Sequence, residues 1–463
     1  MVSSRSAGRR VFLKTAAGAA LSVSARAQSR PPNIVLIVCD DLGYGDLGCY
    51  GSGISTPNLD QMSQDGVRFT HYYSASPVCS PARAALLTGR YAPRTGVTRV
   101  LGQDDTCGLA ASETTIAQML KGAGYSTMCV GKWHVGSQPQ FLPTNHGFDE
   151  WYGIPYSHDM WPRPLMHNLD VIEQPADLST LTQRYTGWAV DFISRQTASP
   201  FFLYMPHSCP HIPLAASRTF LGASGQGLYG DVVQEIDWSV GQVLQALAAA
   251  GQDRNTLVMF SSDHGPWFQG SPGALRGRKN DTWEGGMRVP FVARFPGLIP
   301  SAQTCDGLAT SLDLLPTIAS LTGAALPNTI LDGLDVTPLL TGQQSALNRE
   351  AFLYFNDIFL QCARLGPWKL HTTRFNASSY SPAPNCGLEN LPLPNPELYN
   401  VVADPQESYD RAPRNPAVVA DLLARMNRLV QTFPDTVVSV WNAAMATPVQ
   451  NTPTGALPVG QDQ

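Results

Sequence analysis

The chain has 463 residues, of which 43% are hydrophobic and 14% are charged, and its formal net charge is −5. This length predicts a main domain with a smaller one beside it, and the composition is that of a globular protein rather than a disordered one. The negative net charge argues against nucleic acid as a main partner, because phosphate binding requires a basic face. A small anionic substrate remains compatible with it, since a local cluster of positive groups is enough.

The first 27 residues have the pattern of a targeting segment. A pair of arginines, Arg9 and Arg10, precedes a short apolar stretch at residues 15–23, and Ala25 and Ala27 supply the small residues that a signal peptidase reads. We therefore expect a twin-arginine signal peptide, the twin-arginine export machinery as a partner, and a periplasmic or secreted protein. No stretch reaches the roughly 20 apolar residues that span a bilayer, so no transmembrane anchor is expected.

After this segment, helices and strands alternate along the chain. Residues 33–39 form a continuous apolar run, as is typical of a parallel strand covered on both faces. Further strands are predicted at residues 125–130, 201–205, 256–261 and 289–295, and helices at residues 114–122, 184–195, 229–250 and 312–321. The alternation predicts an α/β fold, in which a large, mostly parallel sheet is sandwiched by helices.

The pattern changes after about residue 345. Short strands are predicted at residues 351–355, 362–364 and 368–371, followed by a Pro/Asn-rich stretch at 381–396 and a helix at 417–430. These elements predict a small antiparallel α+β subdomain. We accordingly expect a catalytic domain at residues 28–345, the small C-terminal subdomain at 346–435 and a C-terminal tail at 436–463.

Polar residues cluster directly after several of the predicted strands. The four clusters are Asp40 with Asp41, Lys132 with His134, His207 with His211, and Asp263 with His264. In open α/β sheets, ligands bind beyond the carboxyl ends of the strands. The clusters therefore predict one active site at that edge of the sheet.

Nine cysteines lie beyond the targeting segment. An odd number in an exported protein indicates one thiol with a separate role. Cys39 and Cys129 lie in apolar strands, where a cysteine behaves as a small core residue. The sequence leaves the pairing of the others open.

Three runs carry a family resemblance: CSPARAALLTGR at residues 79–90, GYSTMCVGKWH at 124–134 and GFDEWYGIPYSHD at 147–159. Together they resemble the formylglycine-dependent sulfatases, and specifically their arylsulfatase A and N-acetylgalactosamine-6-sulfatase branch, over nearly all of the mature chain. The resemblance implies an alkaline phosphatase-like fold and the oxidation of Cys79 to formylglycine by a formylglycine-generating enzyme. The alternative for Cys79 is a buried thiol at the start of a helix.

The resemblance also implies a metal site. Asp40, Asp41, Asp263 and His264 match the family's metal ligands, together with residue 79. Calcium is the expected ion, with magnesium as the alternative, because hard cations bind several carboxylate oxygens. His264 departs from the Asn of the arylsulfatase A branch, and an imidazole is a softer ligand than an amide oxygen.

Further residues match those that surround the sulfate in the family: Lys132, His134, His211 and Lys279. Ser157 matches a residue that contacts the sulfate or the formylglycine, and Arg83 is expected to hold the formylglycine and the metal-site carboxylates. By resemblance, the formylglycine hydrate attacks sulfur while Asp263 accepts its proton, and His211 or Lys279 protonates the leaving alcohol. His134 is then expected to act as the base that allows sulfate to leave.

The expected reaction is hydrolysis of a sulfate ester, either an aryl sulfate or a sulfated carbohydrate, to alcohol and inorganic sulfate. One alternative keeps the fold and changes the reaction to that of a phosphatase or phosphonate monoester hydrolase. A second is a binding protein that has lost catalysis, which is disfavoured because the nucleophile, carboxylates and lysines are all present. Five residues are candidates for the outer substrate region or for surface packing: His158, Asp159, Trp161, Arg163 and Trp267.

Overall fold

The computed structural model describes Met1 and residues 30–196, 198–376 and 389–446. The predicted signal peptide, apart from Met1, lies outside these residues. From residue 31 onward the described chain forms one compact unit. Within the described ranges, every helix is too short or too polar to cross a membrane.

The described helices and strands follow one another in an α/β order. The strands are β1 (Asn33–Cys39), β2 (Val67–Phe69), β3 (Tyr72–Tyr73), β4 (Ser126–Lys132), β5 (Glu150–Ile154), β6 (Leu165–His167), β7 (Asp170–Glu173), β8 (Phe201–Pro206), β9 (Thr256–Ser262), β10 (Phe291–Arg294), β11 (Gln303–Cys305), β12 (Ala309–Thr310), β13 (Phe352–Asn356), β14 (Phe359–Leu365), β15 (Trp368–Phe375) and β16 (Asn390–Asn400). The helices are α1 (Pro57–Gln64), α2 (Cys79–Thr88), α3 (Ala92–Thr95), α4 (Ile116–Gly122), α5 (Leu181–Arg195), α6 (Gly227–Ala249), α7 (Glu284–Met287), α8 (Leu314–Thr322), α9 (Thr337–Leu340), α10 (Pro416–Val430) and α11 (Asp435–Ala446).

Ten of the described strands form one large sheet, in the order β11-β2-β10-β9-β1-β8-β4-β5-β6-β7. Its centre is parallel, because β1 pairs with β8 and β9, and β4 pairs with β8 and β5. The flanking strands β10, β6 and β7 run antiparallel to their neighbours. The predicted fold class, a mostly parallel sheet with helices, is confirmed.

Strand β1 shows why the sheet is covered on both sides. All seven of its residues are buried, and they alternate between two hydrophobic cores. Leu36 packs with residues of α2, α4 and α8 on one face, whereas Ile37 packs with residues of α1, α5 and α6 on the other. A strand buried on both faces reads as a continuous apolar run, as residues 33–39 do.

The predicted elements agree with the observed ones to within a few residues, but several short strands were not predicted. The segment predicted at 289–295 is β10, which runs antiparallel to β9. Strands β2, β3, β11 and β12 have only two or three residues each, which is too short for a periodic pattern to develop. The β6–β7 hairpin was missed for the same reason.

The C-terminal part contains the predicted small antiparallel sheet, in the order β13-β14-β15-β16. Helices α10 and α11 pack on it, and its core continues into α2 through Ala85 and into α7 through Met287. Two expectations differ from what is observed. Residues 390–396 of the Pro/Asn-rich stretch belong to β16, and the expected tail begins with α11, which buries Val437 and Trp441. The predicted domain boundaries stay a prediction.

Position 131 in β4 requires a glycine because the backbone of β8 passes very close to it. Its φ is +133°, and a Cβ there would lie 1.9 Å from the carbonyl oxygen of Pro206 in β8. We expect Gly131→Ala to lower the free energy of unfolding by roughly 2–4 kcal/mol, because it adds both strain and overlap. Urea denaturation would measure this.

A matched control is Gly187→Ala, at an exposed position of α5 where an added Cβ meets no atom within 4 Å. It should raise the free energy of unfolding by about 0.5–1 kcal/mol through helix propensity. Equal denaturation midpoints for Gly131→Ala and the parent would contradict the account of the β4–β8 contact.

Candidate active site

The four predicted polar clusters lie at the carboxyl edge of the parallel strands. The hydrogen bonds between the parallel strands continue one residue beyond the strand ends. Asp263 N–H donates to Cys39 O at 3.0 Å, and His207 N–H donates to Val38 O at 2.8 Å. The ends of β1, β8, β9 and β4 therefore lie side by side. The residues placed at this edge are Asp40, Asp41, Lys132, His134, His207, His211, Asp263 and His264.

Helix α2 presents Cys79 and Arg83 to the same point. Cys79 is its first residue and Arg83 lies one turn later, so their side chains share one helix face. All ten residues of α2 are buried, which explains the small side chains between and after the two. Residue 79 also lies at the positive end of the helix dipole, where a developing anion is stabilised.

Arg83 connects three strand ends. Its Nε and Nη2 donate to Asp263 Oδ2 at 3.1 and 2.8 Å, and its Nη1 donates to the carbonyl oxygen of Lys132 at 3.1 Å. Nη2 also lies 3.3 Å from Asp40 Oδ1. The guanidinium is fully buried, so these contacts replace its hydration and fix the carboxylates around Cys79.

Two buried lysines each pair with one of the adjacent aspartates. Lys132 Nζ donates to Asp40 Oδ2 at 2.5 Å and to Ser157 Oγ at 3.1 Å. Lys279 Nζ donates to both carboxylate oxygens of Asp41, at 2.8 and 3.0 Å. Burial raises the pKa of both aspartates, but the neighbouring cations, first Lys132 for Asp40 and first Lys279 for Asp41, outweigh it and lower both pKa values. Both carboxylates are therefore held ionised.

His264 is oriented by its own backbone. Its Nδ1 lies 2.9 Å from the carbonyl oxygen of Gly265, which places the proton on Nδ1 and leaves the Nε2 lone pair directed at the cluster. Nε2 lies 3.2 Å from Cys79 Sγ and 3.4 Å from Asp41 Oδ1. Burial lowers the pKa of His264, but Asp263 and the other nearby anions raise it to about 9. Without a metal ion, His264 is therefore protonated at neutral pH. A metal ion that binds Nε2 would displace that proton.

Four of the predicted metal ligands form a compact group. The ligand atoms of Asp40, Asp41, Cys79 and His264 all lie within 4.8 Å of one another, and all four residues are buried. Two carboxylates and an imidazole suit a divalent cation, and Cys79 Sγ stands where a formylglycine oxygen would be. The donor set thus fits the expected ion.

Asp263 is placed differently from the other four. Its Oδ2 is held by Arg83, and its Oδ1 accepts from the backbone N–H groups of Asp41 (3.3 Å) and His264 (3.0 Å). Oδ1 also lies 3.6 Å from His264 Nε2. The geometry makes Asp263 a carboxylate at the margin of the compact group, so its predicted role as a metal ligand stays a prediction.

Three carboxylates, from Asp40, Asp41 and Asp263, face the cationic side chains of Arg83, Lys132 and Lys279 around Cys79. His264 adds a fourth positive charge while it is protonated. A divalent cation that displaces this proton still adds net positive charge to a buried centre. Such a centre favours an anionic substrate, because a buried excess charge is costly until it is compensated.

His134 and His211 are the two further histidines expected near the sulfate. His134 Nε2 donates to the carbonyl oxygen of Leu101 at 2.9 Å, and its buried Nδ1 has no hydrogen-bond partner among the described residues. Burial, followed by Lys132 and Arg83, lowers its pKa well below the usual value, so the ring is neutral. His211 Nδ1 donates to the carbonyl oxygen of Ile212 at 2.5 Å, and its Nε2 lies 3.7 Å from Asp41 Oδ2.

Of two other histidines, His207 lies in the core and His158 lies beside His211. His207 is fully buried against Tyr185 and Ser239, where burial lowers its pKa to about 4, so it belongs to the core. His158 packs edge-on against His211, with ring centroids 5.4 Å apart, and neither of its buried nitrogens has a partner among the described residues. Sequence reasoning placed His158 only in the outer region. Trp161 from the same loop is 63% exposed.

The described cysteines show that Cys79 is set apart by its surroundings. All eight of them are unpaired, and Cys386 lies outside the described residues. Cys39 and Cys129 are fully buried in strands, as predicted. Only at Cys79 does a described thiol meet the group of possible metal ligands.

Comparisons with known proteins agree with this geometry. The sulfatase family model matches residues 32–324. Human arylsulfatase A is 40% identical over 448 residues, covering 87% of this chain and 86% of the relative, and pig N-acetylgalactosamine-6-sulfatase is 42% identical over 376 residues, covering 74% and 72%. The crystal structure of a sulfatase from a Pseudoalteromonas species superposes with a TM-score of 0.79 at 27% identity, covering 88% of this chain and 91% of that one. The chain belongs to the sulfatase family, whose members are sulfuric ester hydrolases.

Proposed function

We propose that this protein hydrolyses a sulfate ester with a formylglycine made from Cys79 and a divalent cation, expected to be calcium. The observation that carries this proposal is the meeting of Cys79 with Asp40, Asp41 and His264 at one buried point. Lys132 and Lys279 flank that point with fixed positive charge. His264 Nε2 lies 3.2 Å from Cys79 Sγ, as the base of a cysteine hydrolase would, but it stands in one group with Asp40 and Asp41, which suits a cation rather than a Cys/His pair.

The two groups supply complementary chemistry. When bound, the cation acidifies a coordinated hydroxyl, and a hydrated formylglycine provides one hydroxyl to attack sulfur and a second whose deprotonation releases sulfate. Asp40, Asp41 and His264 would hold the cation, with residue 79 as a further ligand and Asp263 as the predicted fifth. Their convergence supports this assignment, with magnesium as the alternative ion.

The chain's own residues would bind and orient the sulfate. Lys132 and Lys279 present ammonium groups that suit the compact, tetrahedral sulfate oxygens and stabilise charge that develops on them. Ser157 is held by Lys132 at 3.1 Å and adds a hydroxyl beside it. Arg83 keeps the carboxylates in place around residue 79.

Proton transfers are assigned by the available hydrogen-bonding positions. Asp263 Oδ1 lies at the margin of the ligand group and is the proposed acceptor of the proton from the attacking hydroxyl. His211 and Lys279 are both proposed donors to the leaving alcohol: His211 Nε2 lies 3.7 Å from Asp41 Oδ2, and the Lys279 ammonium keeps one N–H beyond the two shared with Asp41. His134 is the proposed base for the release step, since its neutral ring has an unpartnered Nδ1 among the described residues.

The named relatives define the substrate broadly, as a sulfate ester, and leave the alcohol part open. An aryl sulfate and a sulfated carbohydrate both remain candidates, since human arylsulfatase A and pig N-acetylgalactosamine-6-sulfatase match the chain about equally well. A phosphate or phosphonate monoester is the alternative within the same fold. Comparing turnover of one alcohol as its sulfate and as its phosphate ester would decide between them.

Maturation and export complete the proposal. The arginine pair and apolar stretch at the start of the sequence support twin-arginine export to the periplasm or the medium. Because that machinery carries folded proteins, the formylglycine-generating enzyme would act on Cys79 before export. The buried position of Cys79 in the folded chain supports this order.

The modification is tested by mass spectrometry of the peptide containing Cys79, from protein made in a host that has a formylglycine-generating enzyme. We expect the thiol of Cys79 to be replaced by an aldehyde and the protein to release sulfate from an aryl sulfate. The exposed Cys107 is the internal control and should remain a thiol, which separates the specific modification from general oxidation. Full sulfate release by protein that holds only thiol at position 79 would refute the proposed nucleophile.

The cation site is tested by thermal unfolding of chelator-treated protein with and without Ca²⁺. Saturating Ca²⁺ should raise Tm, since a ligand at 100 times its Kd adds about 2.7 kcal/mol to stability. The rise should be largely lost in Asp41→Asn, which removes one charged ligand. Asp65→Asn, at a partly exposed carboxylate of another surface, should keep it. An equal rise in both variants would place the bound cation elsewhere.

A further inference from the structure

The six-residue segment from Lys279 to Glu284 lies between the large sheet and the small C-terminal sheet. We propose that the small sheet positions Lys279 in the sulfate site, chiefly through Asn356 and Lys369. This inference rests on the proposed function, in which Lys279 binds the sulfate. It gives the C-terminal subdomain a part in catalysis, with Asn356 and Lys369 as positioning residues.

The first link joins Lys279 to the nucleophile. Lys279 N–H donates to the carbonyl oxygen of Pro266 at 3.0 Å. The next residue, Asn280, has a φ of +74°, and its N–H donates at 2.9 Å to the carbonyl oxygen of Pro77, which lies two residues before Cys79. The backbone that carries the lysine is therefore tied directly to the loop that leads into α2.

The second link comes from the small sheet. Asn356, the last residue of β13, donates from Nδ2 to the carbonyl oxygen of Asn280 at 2.7 Å, and it is only 8% exposed. Asparagine tolerates the left-handed region better than most residues other than glycine, so Asn280 can take this turn while its N–H and carbonyl group are both held by hydrogen bonds. Asn280 is held on one side by the Cys79 loop and on the other by the small sheet.

The third link is a buried cation on β15. Lys369 Nζ donates to the carbonyl oxygen of Thr282 at 2.7 Å and lies 3.1 Å from Glu284 Oε1 and 3.0 Å from Glu407 Oε1. Glu407 Oε2 in turn accepts from the backbone N–H of Glu284 at 2.7 Å. The end of the segment is thus held at three groups: the carbonyl oxygen of Thr282, and the carboxylate and backbone N–H of Glu284.

The buried charges of Lys369, Glu284 and Glu407 position the 279–284 segment more than they stabilise the fold. Lys369, Glu284 and Glu407 are all essentially unexposed. Buried ion pairs contribute little stability compared with apolar packing of the same volume, because desolvation offsets the attraction. Their hydrogen bonds are directional, however, so they define where the 279–284 segment lies. An error of about 1 Å in a binding group can cost a hundredfold in rate.

The test compares Asn356→Leu, which removes the amide that donates to Asn280 and keeps the number of side-chain heavy atoms, with Thr373→Val as the matched control. Thr373 is also buried in the small sheet, and its hydroxyl lies 3.3 Å from Leu360 O and 3.1 Å from Asn390 Oδ1, neither of which belongs to the segment. Both variants should fold, and Tm measures any general destabilisation. We expect Asn356→Leu to lower kcat on an aryl sulfate about tenfold or more and Thr373→Val to change it less than about twofold.

A double-mutant cycle with Lys279→Met separates positioning from general damage. If Asn356 acts through Lys279, Asn356→Leu should lower kcat less than about twofold in the Lys279→Met background. Equal losses in both backgrounds, or an equal loss in Thr373→Val, would overturn the proposal. Lys369→Met is the more disruptive companion variant, and Lys369→Arg should restore part of its lost kcat.

Binding of inorganic sulfate to the Ca²⁺-loaded protein, measured by calorimetry, makes the result independent of turnover. Asn356→Leu should weaken sulfate binding in the parent and leave it unchanged in Lys279→Met. If no sulfate ester is hydrolysed but this pattern holds, the proposed function fails and the positioning role stands. If esters are hydrolysed and sulfate affinity is the same in Asn356→Leu as in the parent, the positioning role fails and the proposed function stands.

Discussion

The Arg83 guanidinium is the interaction on which the active centre depends. It reaches Asp263, Asp40 and the backbone of Lys132, and so joins the ends of β9, β1 and β4 beneath Cys79. Because it is fully buried, removing it would leave the Asp263 carboxylate without its basic partner, at a cost of about 3–5 kcal/mol for a buried pair. The four-residue spacing in the Cys79 motif is what puts this cation under the nucleophile.

Around that guanidinium, the centre is built as a balance of charges. Asp40, Asp41 and Asp263 are each held by a basic side chain, and protonated His264 leaves the protein alone with a small excess of positive charge at this point. A divalent cation and an anionic sulfate then enter as mutually compensating charges. This explains why lysines, which usually lie in solvent, are buried here next to aspartates.

The sequence predicted the large sheet well because an apolar run follows a local rule, whereas Arg83, Ser157 and Lys279 were expected only through the family resemblance, and their roles stay a prediction. An apolar run followed by Asp40 and Asp41 is the pattern of a buried parallel strand with a ligand-binding end, and β1 has that form. The helix that carries Cys79 and Arg83 was expected only in the alternative for Cys79, a buried thiol at the start of a helix. Several strands of two to five residues escaped prediction, including β5 (Glu150–Ile154) in the parallel part of the sheet, since pairing with a neighbour, and not sequence pattern, defines them.

The links to the small sheet could not be predicted for a related reason. Asn356 meets Asn280, and Lys369 meets Thr282, across long separations in sequence, with no motif at either end. In the sequence, Lys369 looks like an ordinary residue of a strand. Only the fold buries it between Glu284 and Glu407. His158 was likewise ambiguous, because the burial of its ring against His211 depends on how its loop folds.

The measurement that tests the central claim most directly is mass spectrometry of Cys79→Ser after incubation with an aryl sulfate. A serine at this position has one hydroxyl, so it can accept the sulfuryl group from the ester and release the alcohol, but it lacks the second hydroxyl that would expel sulfate. The account predicts one equivalent of alcohol, no free sulfate, and an SO₃ group covalently attached to residue 79. Continued release of free sulfate with no such adduct would contradict it, because the nucleophile would then lie elsewhere.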